Sequence, residues 1–160
     1  MEELNLPKYA FRIRTEGGRK MIYDSIRKKF VVLTPEEWVR QNFIQYLIKV
    51  KKYPESLMAV EKQIMVNQQA RRFDLLIYLR NGQPSLIAEF KAPSVKVSQE
   101  TFDQVVRYNM ALRVERVVVS NGLQHFACEI DYIHNSYSFL HEVPEYCERC
   151  RIDSEGQGFS

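Results

Sequence analysis

Three features are missing from this sequence, and each absence narrows the range of functions. The first residues, MEELNLPKYAFRIR, contain no apolar segment typical of a secretory signal, and no apolar run approaches membrane-spanning length. No phosphate loop ending in Gly-Lys-Ser/Thr is present, so the sequence offers no site for an ATP-driven motor. We therefore expect a cytoplasmic protein that has no membrane partner and no motor domain of its own.

Cysteine is scarce, with only Cys128, Cys147 and Cys150 in the chain. A small, odd number of cysteines without an export signal is typical of a reducing compartment. Cys147 and Cys150 form a lone Cys-x-x-Cys pair, whose spacing to Cys128 and to the three histidines fits no standard zinc pattern. The role of this pair remains open at the level of sequence.

The chain also lacks a strong excess of charge of one sign. It has 23 basic and 20 acidic residues, a balance that neither requires nor excludes nucleic acid, because local patches matter more than the total. Hydrophobic residues make up 45% of the 160 residues, which is enough for a real core. We expect one domain over residues 1–146, followed by a frayed tail over 147–160.

Turn and periodicity signals predict an α/β (α+β) fold, in which helices pack on a mixed sheet. Thr34 and Pro35 suit the cap and first position of a helix, and Glu37 completes a capping box. The expected elements are, in order, a hairpin turning at Gly17-Gly18, a helix in LTPEEWVRQNFIQYLIKVKKY, a strand in SLMAVEKQIMV, a hairpin over 72–91, a helix in SQETFDQVVRYNMALR, and strands in ERVVVS, LQHFACEIDY and YSFLHEVPEY.

Polar residues interrupt the predicted hairpin RRFDLLIYLRNGQPSLIAEFK, which is otherwise largely apolar. A two-residue turn at Asn81-Gly82 would place Asp74 directly opposite Glu89, and would put Lys91 on the same face. Arg72 would lie across from Lys91. The apolar residues at 73, 75, 77, 79, 86, 88 and 90 would all point to the other, core-facing side, with Pro84 as the weak point of the register.

Two carboxylates that face each other across a strand pair repel, and a divalent cation between them would remove that cost. Oxygen ligands with an otherwise open coordination shell are what Mg²⁺ prefers, so Asp74 and Glu89 form a candidate metal site. Lys91 could position a water molecule or balance charge on a phosphate there. The alternative is a solvated sheet face with ordinary surface ion pairs.

The arrangement of these residues resembles the PD-(D/E)XK nuclease superfamily. Asp74 precedes AEFK, with its Glu89-x-Lys91, in a helix, three strands, helix, strand order. DQVVRY contains a Gln104-x-x-x-Tyr108 pair, which resembles a motif of the nuclease domains of type I restriction enzyme R subunits. From about residue 7 to 146, the chain is similar to the small stand-alone family of type I restriction enzyme R protein N-terminal domains.

The resemblance implies a restriction-endonuclease-like core that hydrolyses phosphodiester bonds with Mg²⁺ or Mn²⁺. It implies metal ligands at Asp74 and Glu89, a catalytic role for Lys91, and assisting roles for Gln104 and Tyr108. It also implies nucleic acid as the partner, with DNA favoured over RNA, and leaves room for a homodimer or for separate motor and specificity subunits. Phe73 stands where the superfamily's eponymous proline would be.

Several alternatives remain open at this stage. Glu37 is either an extra metal ligand or only a helix cap, and Glu61 is either a ligand or a solvated strand residue. A basic groove beside the site would comprise Arg71, Arg72, Lys91, Lys96 and Arg107. The rivals to a nuclease are a catalytically silent nucleic-acid-binding or regulatory module on the same fold, and a plain protein-interaction domain.

Overall fold

The structure is a computed structural model that describes residues 1–147. Its elements are β1 (Ile13–Glu16), β2 (Arg19–Asp24), β3 (Lys29–Val32), α1 (Pro35–Lys49), β4 (Met58–Val66), β5 (Gln69–Tyr78), β6 (Pro84–Phe90), α2 (Gln99–Asn109), β7 (Arg116–Ser120), β8 (His125–Asp131) and β9 (Ser136–Leu140). The expected frayed tail lies outside the described residues, apart from Cys147.

These strands form two sheets. β1, β2 and β3 make a three-stranded antiparallel sheet, which we call the N-terminal sheet. β4 to β9 make a six-stranded sheet in sequence order. All its neighbours are antiparallel except β6 and β7, which run parallel and are joined through α2. The predicted mixed α+β fold is therefore confirmed, although the expected N-terminal hairpin has a third strand.

α1 begins as its sequence predicts. Thr34 is the N-cap, its Oγ1 accepts a hydrogen bond from the Glu37 amide at 3.0 Å, and Pro35 occupies the first turn. The reciprocal half of the capping box is absent, because the Glu37 carboxylate pairs with Arg27 and Arg40 instead. The cap therefore depends on Thr34, and the Glu37 side chain is committed elsewhere.

A helix covers each face of the six-stranded sheet. On one face, the α1 side chains of Val39, Phe43 and Leu47 pack against a core that includes Phe90. The residues at 75, 77, 86 and 88 belong to the same core. On the other face, the α2 side chains of Phe102 and Val106 pack on residues at 117, 119, 128 and 130. Strands that are covered on both faces explain the nearly continuous apolar runs in β6 and β7.

Phe73 does not lie where strict alternation places it. It was expected in the same core as Leu75 and Ile77, but it packs with Leu76, Ile87 and Val114 on the other face. The alternation breaks at residue 74, opposite Glu61, whose φ of 52° marks an irregular point in β4. Phe73 is therefore buried in a core as predicted, but its assignment to the same face as Leu75 and Ile77 was wrong.

No helix within residues 1–147 combines the length and apolar character needed to cross a bilayer.

Candidate functional site

The register of β5 and β6 brings Asp74 and Glu89 together. Leu75 pairs with Ala88 in the ladder, so Asp74 and Glu89 occupy the next position along the two strands. The turn itself differs from the predicted two-residue turn. The Leu79 amide donates to the Gln83 carbonyl, which leaves a three-residue loop over 80–82. A bulge between residues 77 and 78 then shifts the pairing by one and restores the expected register.

Asp74 is held from two sides. Its Oδ2 accepts a hydrogen bond of 2.8 Å from the Phe90 amide, and its Oδ1 lies 3.4 Å from Nη2 of Arg40. The side chain keeps 21% of its surface exposed. A carboxylate fixed by a backbone donor and an arginine, yet still partly open, is well placed to present an oxygen to a ligand.

Glu89 is largely buried, and its carboxyl group is poorly solvated. Burial and the neighbouring charge of Asp74 raise the pKa of Glu89 to about 9, and the nearby Lys91 ammonium opposes this only in part. A carboxyl group so perturbed retains its proton at neutral pH unless a metal cation binds beside it. Strong perturbation beside a cavity is typical of a functional site.

Lys91 follows β6 directly, and its amide donates to the Ser120 carbonyl of β7 at 2.9 Å. Glu89 and Lys91 both line a cavity of about 360 Å³ between the sheet and α2. Gln104 and Tyr108 line the same cavity from the helix. The structure thus gathers four of the five predicted site residues around one opening, and the fifth, Asp74, adjoins Glu89.

Gln104 and Tyr108 contact each other, as residues four apart on a helix can. Nε2 of Gln104 donates to the Tyr108 hydroxyl at 3.2 Å. The guanidinium of Arg71 lies 4.4 Å from the centre of the Tyr108 ring, a cation–π contact. Arg71 and Arg72 also line the cavity, so its rim is basic.

Two members of the expected basic groove lie elsewhere. Lys96 and Arg107 are exposed but are not among the residues that line this cavity. Lys96 belongs to the loop before α2 and Arg107 to α2 itself, so whether they extend the basic groove beyond this cavity stays a prediction. The basic rim consists of Arg71, Arg72 and Lys91.

The acidic residue that α1 brings to the site is Glu36, not Glu37. Burial and the charge of Asp74 raise the pKa of Glu36, while Arg40 and Lys91 oppose the rise, so this carboxylate is close to the predicted site. Sequence reasoning considered only Glu37. Helical spacing could have identified Glu36, which precedes the buried positions Val39 and Phe43 by three and seven residues.

Arginine side chains neutralise the negative charge of these carboxylates. Arg40 is 4% exposed, and its guanidinium lies within 3.4 Å of four carboxylates, those of Glu36, Glu37, Glu61 and Asp74. Burial alone would raise the pKa of Glu61, but the hydrogen bond from Arg72 and the charges of Arg40 and Arg27 bring it below its usual range. Glu61 therefore serves as an ionised bridge between arginines, rather than as a carboxylate open to a ligand.

The other candidate metal ligands, cysteine and histidine side chains, are buried or make contacts away from Asp74 and Glu89. Cys128 is buried in the core beneath α2. Nδ1 of His125 lies 2.7 Å from the Ser120 hydroxyl, and His134 pairs with Asp131. Within residues 1–147, no group of three or more His, Cys, Asp or Glu side chains is arranged to hold a metal ion. Cys150 lies outside the described residues, so the role of the Cys147-x-x-Cys150 pair stays open.

Comparisons with known proteins agree with this architecture. The family model described as type I restriction enzyme R protein N terminus (HSDR_N) matches residues 35–144. A solved fragment assigned to the HsdR subunit of a type I restriction enzyme from Vibrio vulnificus YJ016 superposes with a TM-score of 0.54 at 18% identity. That match covers 80% of this chain and 27% of the fragment. None of the curated proteins compared matches the chain.

Proposed function

Since this chain belongs to the family of type I restriction enzyme R protein N termini, we propose that it contains a metal-dependent nuclease site of the PD-(D/E)XK type. The observation that carries the proposal is that Glu89 and Lys91 line one cavity together with the Gln104–Tyr108 pair, while Asp74 adjoins Glu89. The order of these residues and their shared position are what such a site requires.

The carboxylates fit a hard divalent cation. Asp74 and Glu89 offer only oxygen ligands, and the pKa of about 9 for Glu89 reflects a repulsion that a cation would relieve. Glu36, in the first turn of α1, lies near this pair, but the three carboxylates are not arranged as a preformed metal site in the described residues. When bound, Mg²⁺ supplies charge neutralisation at a phosphate and lowers the pKa of a water molecule.

Each residue of the proposed site then has a separate role. The Phe90 amide and Arg40 orient Asp74, so that this carboxylate does not rotate away from the site. Lys91 directs an ammonium towards the cavity, where it balances charge on the phosphate under attack. Tyr108, with Arg71 stacked on it, gives the neighbouring phosphates a basic contact.

We take DNA as the substrate, because the family name and the basic rim both point to a nucleic acid. The chain covers only 27% of the Vibrio vulnificus fragment that it resembles. Translocation motor and specificity subunits would therefore be separate polypeptides or further domains. A homodimer would supply two sites for a double-strand cut.

The test is cleavage of supercoiled plasmid DNA by the purified chain in Mg²⁺ or Mn²⁺, with EDTA as the blank. Lys91→Ala should reduce the rate by at least about 100-fold, the usual contribution of a catalytic charged group, while circular dichroism remains unchanged. The matched control is Lys96→Ala, since Lys96 is exposed and does not line the cavity. Undiminished cutting by the Lys91 variant would refute the assignment.

One observation favours a second candidate, a catalytically silent DNA-binding module. Arg40 contacts Asp74 Oδ1, so a guanidinium already satisfies part of the charge that a metal ion would neutralise. The same plasmid assay separates the two functions. Retained DNA binding without metal-dependent cutting, in the wild-type protein itself, identifies the silent module.

A further inference from the structure

Positive charge is concentrated in the N-terminal sheet. Residues 12–32 contain seven Lys and Arg but only two Asp and Glu, whereas the rest of the chain has 16 basic and 18 acidic residues. Asp24 is fully buried and pairs with Arg27, which leaves Glu16 as the exposed acid of this segment. The exposed basic residues are Arg12, Arg14, Arg19, Lys20, Lys28 and Lys29. The net +3 of the whole molecule therefore hides one strongly basic region.

The register determines which side of this sheet is open. Ile22 and Asp24 are fully buried and mark the inner side. The opposite side carries Arg12, Arg14, Glu16, Arg19, Tyr23 and Phe30, which we call the outer face. Strand alternation thus places three arginines, two aromatic rings and one glutamate on one open surface.

The arginines of the outer face lie on its aromatic rings. The guanidinium of Arg12 is 3.7 Å from the centre of the Tyr23 ring, and that of Arg14 is 3.9 Å from the centre of Phe30. The two rings meet edge to face at 5.2 Å. Stacking fixes the plane of a guanidinium and leaves its edge donors available to an anion. In Arg14 one of these donors, Nη2, already binds Oε2 of Glu16 at 2.7 Å. Within residues 1–147, Arg12 and Arg19 have no carboxylate partner.

A chain of ion pairs joins this sheet to the candidate nuclease site. Arg27, in the turn after β2, pairs with Glu61 at 2.9 Å, and Arg72 binds the same oxygen of Glu61 at 2.6 Å. Arg72 lines the cavity that holds Glu89 and Lys91. The turn that follows β2 in the N-terminal sheet is therefore connected, through Glu61, to a residue on the basic rim of the cavity.

We infer that the outer face of the N-terminal sheet is a second DNA-binding surface, which grips the phosphate backbone of duplex DNA beside the cavity. The inference rests on the proposed function for its choice of partner. It goes beyond the family match, which begins only at residue 35. Stacked, preorientated guanidinium groups suit phosphate oxygens, and this contact is sequence-independent.

The experiment measures binding of the full chain to a fluorescent DNA duplex by anisotropy, in EDTA, over a series of salt concentrations. We expect the double variant Arg12→Gln/Arg14→Gln to bind about 3- to 30-fold more weakly, and to reduce the slope of log K against log salt by about one to two, as loss of one or two phosphate contacts requires. Arg19→Glu, a single change at a solvent-exposed side chain, should act in the same direction without touching the stacked rings.

The matched control is Lys49→Gln/Lys52→Gln, which removes the same amount of positive charge at the C-terminal end of α1, away from the candidate site. Like Arg12 and Arg14, Lys49 lies over an aromatic ring, that of Tyr9. The control should leave the salt slope unchanged. Equal losses in both double variants, or unaltered binding by the Arg12/Arg14 and Arg19 variants, would overturn the inference. Because EDTA prevents cutting, failure of the nuclease assignment would appear separately, as an absence of cleavage with binding intact.

Discussion

Glu89 is placed where a negative charge is costly. The residue is largely buried beside Asp74, and the pKa of its carboxyl group rises from 4.5 to about 9. In the unfolded chain the group would ionise near its ordinary pKa. Between these two values the folded protein holds a proton that the unfolded protein has released. The free energy of unfolding must therefore fall as the pH rises through this window, if no cation is present.

Glu89→Gln should remove this pH dependence. The amide does not ionise, so we expect the variant to exceed the wild type in free energy of unfolding by ~2 kcal/mol at about pH 8, and to match it at about pH 5. Urea unfolding in EDTA at both pH values measures the difference. Glu129→Gln, an exposed change on β8, is the control and should alter neither value. A wild type as stable as the Glu89 variant at the higher pH would contradict the prediction.

Sequence reasoning succeeded and failed at neighbouring residues of this site. Asp74 and Glu89 were brought together by hydrophobic alternation and one turn signal, both of which are local patterns. Glu36 was missed because Glu37 already had a local explanation in the helix cap. Arg40 was missed because a buried arginine with four carboxylates depends on contacts between distant segments. No local pattern contains that information.

At the scale of the elements, β-turns show how much a local signal determines. Asn81-Gly82 correctly indicated a hairpin, but glycine also suits the last position of a three-residue loop, where Gly82 has a φ of 85°. The bulge at residues 77 and 78 then compensated for the error in turn length. The predicted register was therefore right because two departures from the expected hairpin, a longer loop and a bulge, cancelled each other.

The β4–β5 turn offers a stabilising change. Asn67 and Gln68 form a two-residue turn in which both φ angles are positive, at 48° and 63°. This conformation favours glycine at the second position, so Gln68→Gly should raise the free energy of unfolding by about 0.5–1 kcal/mol. The melting temperature in EDTA reports the gain.

The control for this change is the same substitution inside the strand. Gln63→Gly, in the middle of β4, should destabilise the protein by about 0.5–1 kcal/mol, because glycine weakens a regular strand. If both variants moved the melting temperature in the same direction, turn strain would not be the cause.

At the scale of the whole molecule, polar contacts connect the two sheets. Arg27 pairs with Asp24 on its own sheet, with Glu37 on α1, and with Glu61 on β4. Asp24 is fully buried and Glu37 nearly so, which makes the loss of their partner far more costly than the loss of a surface pair. Arg27 thereby holds the N-terminal sheet against α1, whose Arg40 also contacts Asp74.

Replacement of Arg27 should release this sheet. We expect Arg27→Gln to lower the free energy of unfolding by ~3 kcal/mol, because three acidic groups lose a shared partner and two of them are buried. Hydrogen exchange should accelerate most in residues 13–32, since the contacts of the six-stranded sheet remain. Arg19→Gln is the control within the same sheet. Arg19 is exposed, so the change in stability should stay within about 0.5 kcal/mol. Uniform acceleration across both sheets would instead mean that the two sheets unfold as one unit, and that Arg27 does not specifically hold the N-terminal sheet in place.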